Sequence, residues 1–511
     1  MFHLSRLVVT ALAAAHLALA ASAASAAEPA RPVVKTEDGA VVGVVDDGVA
    51  VFKGIPYAAP PVGPLRWRPP APAIRWSAPR DASQFGAVCP QPVSRGFTLK
   101  VEPTSEDCLF LNVWAPAKRT AKPLPIMVWI HGGSWTIGSG SKGIYDGASF
   151  ARDGVVTVTI NYRLGALGFF AHPALTHEAG ADAPLFAYGH MDDIAALKWV
   201  QRNIAAFGGD PSQVTVFGES AGSGSILFLL ATPSAKGLFA KAILESAPGL
   251  VLPKSLSAAE AQGVKYVARH GLGADSTVEQ LRAMPAADLV GDYDATPIPD
   301  GRLTPEPVDK AVIAGHLISV PMIIGTNGDE GSLVREYPAI PNQLLMIFSP
   351  RKPELKSVYG AEAPDDSSLG RLLFADAVFG VPARWISAKS ASPVWLYRFN
   401  YVADSERATA PGAYHGGELP FVFDTLKASW IKTPTPADQA VATRLHACWS
   451  AFAKSGAPCA GWTAYSRAED DTLVMDASGT AAMMTGYHRA AFDLIEGALF
   501  DRRPAASPSG H

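Results

Sequence analysis

Apolar positions along this chain fall into two patterns. Short runs rich in apolar and β-branched residues recur at Pro125-Ile-Met-Val-Trp-Ile130, Val155-Val-Thr-Val-Thr-Ile160, Gln213-Val-Thr-Val-Phe217, Ala242-Ile-Leu244, Pro321-Met-Ile-Ile324 and Val394-Trp-Leu-Tyr397. With few polar residues to mark a solvated face, these read as strands covered on both sides. Between several of them the spacing changes to that of a helix, clearest across Asp192–Asn203, where Ile194, Leu197 and Trp199-Val200 line one face. Strands alternating with helices predict an α/β fold with a mostly parallel central sheet and helices on both faces.

No long charged, Gly/Ser-rich or Pro-rich linker divides the chain, and no repeat of solenoid period occurs. One large domain over about residues 28–500 is expected, with helical insertions near 253–316 and 334–391, where strand character weakens. Of the 511 residues 48% are hydrophobic and 18% charged, enough apolar material for a large core and too much for global disorder. The formal net charge of -4 comes with no basic stripe, so nucleic acid is not an expected partner.

The amino terminus adds a destination. A charged start at Arg6, an apolar stretch from Leu7 to Ala20 and small residues through Ala24-Ser25-Ala26 read as a secretory signal peptide over residues 1–26, cut after Ala20, Ala23 or Ala26. The apolar stretch falls short of the ~20 residues that a spanning helix needs. An exported protein, periplasmic or extracellular, with no membrane anchor after cleavage is therefore expected, and the tail 501–511 reads as disordered. Cys89, Cys108, Cys448 and Cys459 form two pairs close in sequence, and an oxidising compartment favours two short-loop disulfides. Clusters such as Cys-x-x-Cys or His-x-x-x-His are missing, so no metal is expected.

Candidate chemistry centres on Gly218-Glu-Ser-Ala-Gly222, which follows the strand Val214–Phe217 and precedes the apolar run Ile226–Leu230. A serine at a tight strand-to-helix turn is thrust outward, and flanking glycines remove the Cβ atoms that would clash as the backbone reverses. A hydroxyl is a poor nucleophile at neutral pH, so Ser220 needs a base and a group that holds the base in one tautomer. In the chain order nucleophile, acid, histidine, the segments Gly328-Asp-Glu-Gly331 and Tyr414-His-Gly-Gly417 offer Glu330 and His415, with Asp329 the rival acid. His131-Gly-Gly-Ser-Trp135 follows the strand Ile126–Ile130, where a loop of oxyanion donors belongs, and Gly133, Ser134 and Ala221 are the candidate donors. His131, His270, His316, His446 and His488 read as structural or surface histidines.

These segments, with Phe52-Lys-Gly-Ile-Pro-Tyr-Ala-Ala-Pro-Pro-Val-Gly-Pro-Leu-Arg-Trp67, Glu106-Asp-Cys-Leu-Phe-Leu-Asn-Val-Trp-Ala-Pro116, Asn161-Tyr-Arg-Leu-Gly-Ala-Leu-Gly-Phe169 and Phe207-Gly-Gly-Asp-Pro211, resemble the type B carboxylesterases, a group that includes cholinesterases and bacterial para-nitrobenzyl esterases. The likeness runs from about Val33 to about Met475 and implies an α/β-hydrolase fold without metal or organic cofactor. It also implies glutamate as the acid, favouring Glu330 over Asp329, and a Cys89–Cys108 bridge. A Cys448–Cys459 bridge rests on proximity and compartment alone. Ser134 departs from the family, many members of which carry glycine or alanine there. No tryptophan lies between Cys89 and Cys108, where cholinesterases hold choline, which argues against a choline ester.

The expected activity is hydrolysis of a small carboxylic ester through an acyl-enzyme on Ser220, with His415 as general acid and base and Glu330 orienting it. An amide or carbamate hydrolase would use the same residues with a different pocket. A non-catalytic binding module on this fold would typically lack part of the Ser220, Glu330 and His415 set, all of which is present.

Overall fold

The computed structural model describes residues 31–92, 103–249 and 254–500; the expected signal peptide and the tail 501–511 lie outside them. Among these residues are fourteen strands: β1 (Val33–Lys35), β2 (Ala40–Val42), β3 (Val44–Asp46), β4 (Val49–Pro56), β5 (Arg80–Asp81), β6 (Phe110–Pro116), β7 (Leu124–Ile130), β8 (Val156–Ile160), β9 (Gly209–Glu219), β10 (Lys241–Glu245), β11 (Met322–Asn327), β12 (Val394–Phe399), β13 (Asp471–Met475) and β14 (Ala481–Thr485). β1, β2 and β5 make a small sheet. The other eleven form one sheet in the order β14-β13-β12-β11-β10-β9-β7-β8-β6-β4-β3, parallel from β8 to β13 and antiparallel at both margins.

The period of two along each strand sorts the side chains into two cores. Ile126, Val128, Ile130, Val214, Val216 and Leu244 point into one, and Met127, Trp129, Phe217, Ile243, Ile323 and Trp395 into the other. The first is closed by the helices Tyr188–Asn203 and Ala221–Leu230, the second by Pro436–Ser455, whose Leu445, Trp449 and Phe452 are buried. The helix expected to begin at Asp192 starts a turn earlier, at Tyr188.

The antiparallel margin was not visible in the apolar pattern because polar residues and prolines break it. β4 contains Lys53 and Gly54 and bulges between Phe52 and Ile55; β6 carries Asn112. That asparagine is buried but satisfied: its Oδ1 accepts from Gly54 N at 3.0 Å and its Nδ2 donates to Thr159 Oγ1 at 2.9 Å.

Between β11 and β12 the chain forms the helices Ala339–Ile347, Lys352–Tyr359, Asp366–Ala375 and Val381–Lys389, with a π-helical turn at Asp376–Gly380. They enclose a third core of their own, including Leu344, Leu355, Leu369 and Leu373, completed by Phe492 and Ile495 of the helix Arg489–Leu499. Between β10 and β11 lie the helices Leu256–Ala268, Val278–Arg282 and Val308–Ala314.

Both cysteine pairs are bridged, Cys89 to Cys108 and Cys448 to Cys459. Among the described residues no helix is long and apolar enough to cross a membrane. The second bridge, spanning 11 positions, fastens the end of Pro436–Ser455 to the loop beyond it. Replacing Cys448 and Cys459 together by alanine is expected to lower unfolding stability by about 3 kcal/mol through the freed unfolded chain. Urea unfolding beside the wild type checks this, and an unchanged midpoint would show that the bridge contributes nothing.

Candidate active site

Adjacent parallel strands bring the predicted segments together. In the register of β7 with β9, Ile130 faces Gly218, so the loop leaving β7 at His131 lies against the turn leaving β9 at Glu219. The contact is close enough to require glycine. A Cβ on Gly222 would sit 2.0 Å from the Ile130 carbonyl oxygen, one on Gly218 would sit 2.7 Å from the same atom, and one on Gly132 would sit 2.6 Å from the Glu219 carbonyl oxygen. Ser220 itself takes φ 55° and ψ −124°, a strained conformation that functional sites often hold. It persists because Ser220 N donates to Glu245 O at 2.9 Å, while Ser220 O accepts from Gly224 N at 2.9 Å. The helix Ala221–Leu230 begins at the next residue, and its amino terminus favours negative charge beside Ser220.

The predicted donor loop turns through three successive residues of positive φ: Gly133 at 108°, Ser134 at 55° and Trp135 at 57°. For residues bearing a Cβ this region costs roughly 1–2 kcal/mol each. Trp135 is anchored by Nε1 donating to Ser225 Oγ at 3.1 Å and by its carbonyl accepting from Gly165 N at 2.7 Å. Ser134 Oγ hydrogen-bonds the hydroxyl of Tyr337. The Gly133 and Ser134 amides donate to no group of the described residues. His131 is buried and stacked on Tyr162; burial pushes its pKa down to about 3, leaving it neutral and structural.

His415 and Glu330 meet directly. The imidazole Nδ1 lies 2.5 Å from Glu330 Oε2, and the other carboxylate oxygen accepts from Ser246 Oγ at 2.6 Å and Asn327 N at 2.7 Å. Asp329 turns away and pairs with Arg371. The Phe379 ring on the π-helical turn packs 5.2 Å from the imidazole, and Ser332 Oγ accepts from His415 N at 3.0 Å. The far nitrogen, Nε2, stands 3.0 Å from Glu219 Oε1, too far off line for a hydrogen bond. No hydrogen bond joins it to Ser220, which follows Glu219 in the chain. Burial alone would depress the His415 pKa, but Glu219 and Glu330 outweigh it and raise it well above its ordinary value. Burial alone would raise the Glu330 carboxyl; the facing imidazole and the hydrogen bonds hold it below its usual range. His270, His316, His446 and His488 each face a carboxylate elsewhere.

Next to Glu219 lie acidic groups that sequence reasoning did not single out. Glu245 ends β10 directly opposite Glu219, and Glu418 follows His415 by three positions. Glu245 Oε1 accepts from Trp449 Nε1 at 2.8 Å, and Glu418 accepts from Asn327 Nδ2. Burial, then the charge of Glu219, pushes Glu418 up to about 8; burial, then Glu418, raises Glu245 well above its usual range. Both shifts run toward the protonated form, which lessens the charge crowded into this dry region. Beside the elbow a cavity of about 70 Å³ is lined mainly by apolar groups, among them Trp135, Leu227, Phe228 and Pro248. Among the described residues no group of three or more His, Cys, Asp or Glu side chains could hold a metal ion.

A parallel sheet presenting a serine at a strained strand-to-helix turn, beside an imidazole held by a buried carboxylate, defines the hydrolase class of this architecture. Comparison with known proteins is more particular. The sequence profile described as "Carboxylesterase family" matches residues 30–494. The para-nitrobenzyl esterase of Bacillus subtilis is 37% identical over 482 residues, covering 88% of this chain and 95% of that protein. The fumonisin B1 esterase of Sphingopyxis macrogoltabida is 37% identical over 454 residues, covering 83% and 82%. A solved PNB esterase structure superposes with a TM-score of 0.80 at 34% identity, covering 91% of this chain and 99% of that one. The chain belongs to the carboxylesterase family. It is a carboxylic ester hydrolase with the α/β-hydrolase fold.

The His415 environment yields a titration. In protein labelled at histidine, the His415 imidazole followed by NMR is expected to stay protonated above pH 6.5. Glu219→Gln removes a charge that favours the imidazolium while leaving the burial that disfavours it, so the midpoint should fall. A midpoint unchanged by the substitution would remove Glu219 as its cause.

Proposed function

We propose that Ser220, His415 and Glu330 act as nucleophile, general acid–base and orienting acid, with the amides of Gly133, Ser134 and Ala221 receiving the oxyanion. The observation that carries this reading is the 2.5 Å contact of Glu330 with His415 Nδ1, which leaves Nε2 as the nitrogen directed to the elbow. Nε2 faces Glu219, the residue before Ser220, so this reading requires Ser220 Oγ to take the place of Glu219 as its partner when substrate binds. Such tightening on binding substrate is common, because catalytic hydrogen bonds are often open in the free enzyme.

Turnover starts from the fraction of enzyme in which His415 is neutral. The hydroxyl attacks the ester carbonyl as the imidazole takes its proton, the alcohol leaves with that proton, and water repeats the sequence on the acyl-enzyme. Activity should therefore rise with pH as His415 loses the proton that Glu219 and Glu330 favour. Glu330 remains ionised throughout and fixes the tautomer. The apolar part of the neighbouring cavity's lining suits an apolar arm of an ester, while Glu306 and Asp309 on the same lining disfavour an anionic one, in keeping with the ester-hydrolase names of the relatives. The signal-like amino terminus and two disulfides support export of a single catalytic domain spanning about residues 28–500.

Hydrolysis of an activated aryl acetate by protein beginning at Glu28 tests the assignment. Ser220→Ala should lose turnover by at least about a thousandfold and Glu330→Gln by up to about ten-thousandfold, both with unaltered circular dichroism. Turnover that survives Ser220→Ala would refute the nucleophile, and full turnover in Glu330→Gln would remove the acid.

A further inference from the structure

The donor loop contains one strained residue whose side chain has a single tether. Gly133 tolerates positive φ without a Cβ penalty, and its carbonyl accepts from Thr136 N and Ile137 N, both at 3.0 Å. Trp135 is held on two sides, by Ser225 and Gly165. Ser134, at φ 55°, has Tyr337 alone as its hydrogen-bond partner among the described residues.

Tyr337 belongs to the segment that supplies Glu330. That segment leaves β11, makes a 3₁₀ turn over Glu330–Arg335 and reaches Tyr337, whose N–H donates to Leu333 O at 3.1 Å. Its ring lies nearly parallel to that of Phe374, 6.4 Å away, in the core of the helical insertion. One short stretch thus touches both halves of the site, the imidazole through Glu330 and the donor loop through Tyr337. Where glycine stands at position 134 no brace is needed, because the left-handed conformation is then free of strain. Serine introduces the strain and, with its hydroxyl, the means to hold it.

We propose that Tyr337 is a positioning residue for the oxyanion loop: its hydroxyl, bonded to Ser134 Oγ, holds Ser134 in the left-handed conformation that keeps its N–H available beside Ser220. The inference rests on the catalytic reading above and extends it to a group that touches no reacting atom. Its energetic logic is that a displaced oxyanion donor weakens transition-state binding more than ground-state binding, so kcat should suffer and KM should not.

The test is a cycle of wild type, Tyr337→Phe, Ser134→Gly and the double variant, assayed on an aryl acetate with Ser220→Ala as control. Tyr337→Phe is expected to lower kcat about tenfold with KM within about twofold. In the Ser134→Gly background the same substitution should change kcat by less than about twofold, since glycine needs no brace. Equal losses in both backgrounds, or none in either, would overturn the proposal. Hydrogen–deuterium exchange of residues 131–137 supplies a readout that does not depend on turnover. Faster exchange in Tyr337→Phe than in wild type is expected, and unchanged exchange would refute the brace. Activity that survives in Ser220→Ala would instead bring down the catalytic reading, leaving the exchange result to decide the role of Tyr337.

Discussion

The approach of the Ile130 carbonyl to Gly222 is the constraint on which the rest of the site depends. Two parallel strands at ordinary spacing leave no room for a helix to begin beside the neighbouring strand unless that residue has no side chain. With glycine at 218 and 222, the chain reverses directly out of β9, and Ser220 is forced into a conformation that the Glu245 carbonyl holds in place. The loop after β7 is then pressed against the turn, which is why Gly132 also lacks room for a Cβ. Position, strain and access at Ser220 follow from one backbone contact.

A second constraint is electrostatic. Four buried glutamates lie near one another at this end of the sheet: Glu219 and Glu330 flank the imidazole, and Glu245 and Glu418 interact with the other carboxylates. Four charges there would repel one another at short range with little water to screen them. The arrangement eases this by giving Glu330 hydrogen-bond donors and the imidazole as partner, while burial and the neighbouring carboxylates shift Glu245 and Glu418 toward their protonated forms. Asn327 links the two groups of carboxylates, donating its backbone N–H to Glu330 and its side-chain amide to Glu418.

Local patterns made much of this legible. The six apolar runs all fall on strands of the large sheet, because a strand buried on both faces has little choice of side chain. The glycines around Ser220 and after Ile130 are likewise local requirements. Residues alone did not separate Asp329 from Glu330, since both occupy the same turn; the fold sends one to Arg371 and the other to His415. The backbone angle of Ser134 was illegible for a different reason. It is imposed by packing on neighbouring elements, and its hydroxyl partner lies 203 positions away. The strands β4 and β6 were hidden by Lys53, Pro56 and Asn112, whose polar or imino groups interrupt the apolar signal without preventing pairing.

The core of the helical insertion has a consequence for the order in which the protein is completed. Its last members, Phe492 and Ile495, come from the final described helix, which is also fastened by Arg384 to Asp493 at 2.6 Å and to Glu496 at 3.4 Å. The segment bearing Glu330 and Tyr337 thus leans on residues synthesised some 160 positions later. A nascent chain still missing that helix has its serine turn encoded but no finished support for the groups that act on it. The core that backs Glu330 and Tyr337 is thus completed by residues that leave the ribosome well after the ones it supports.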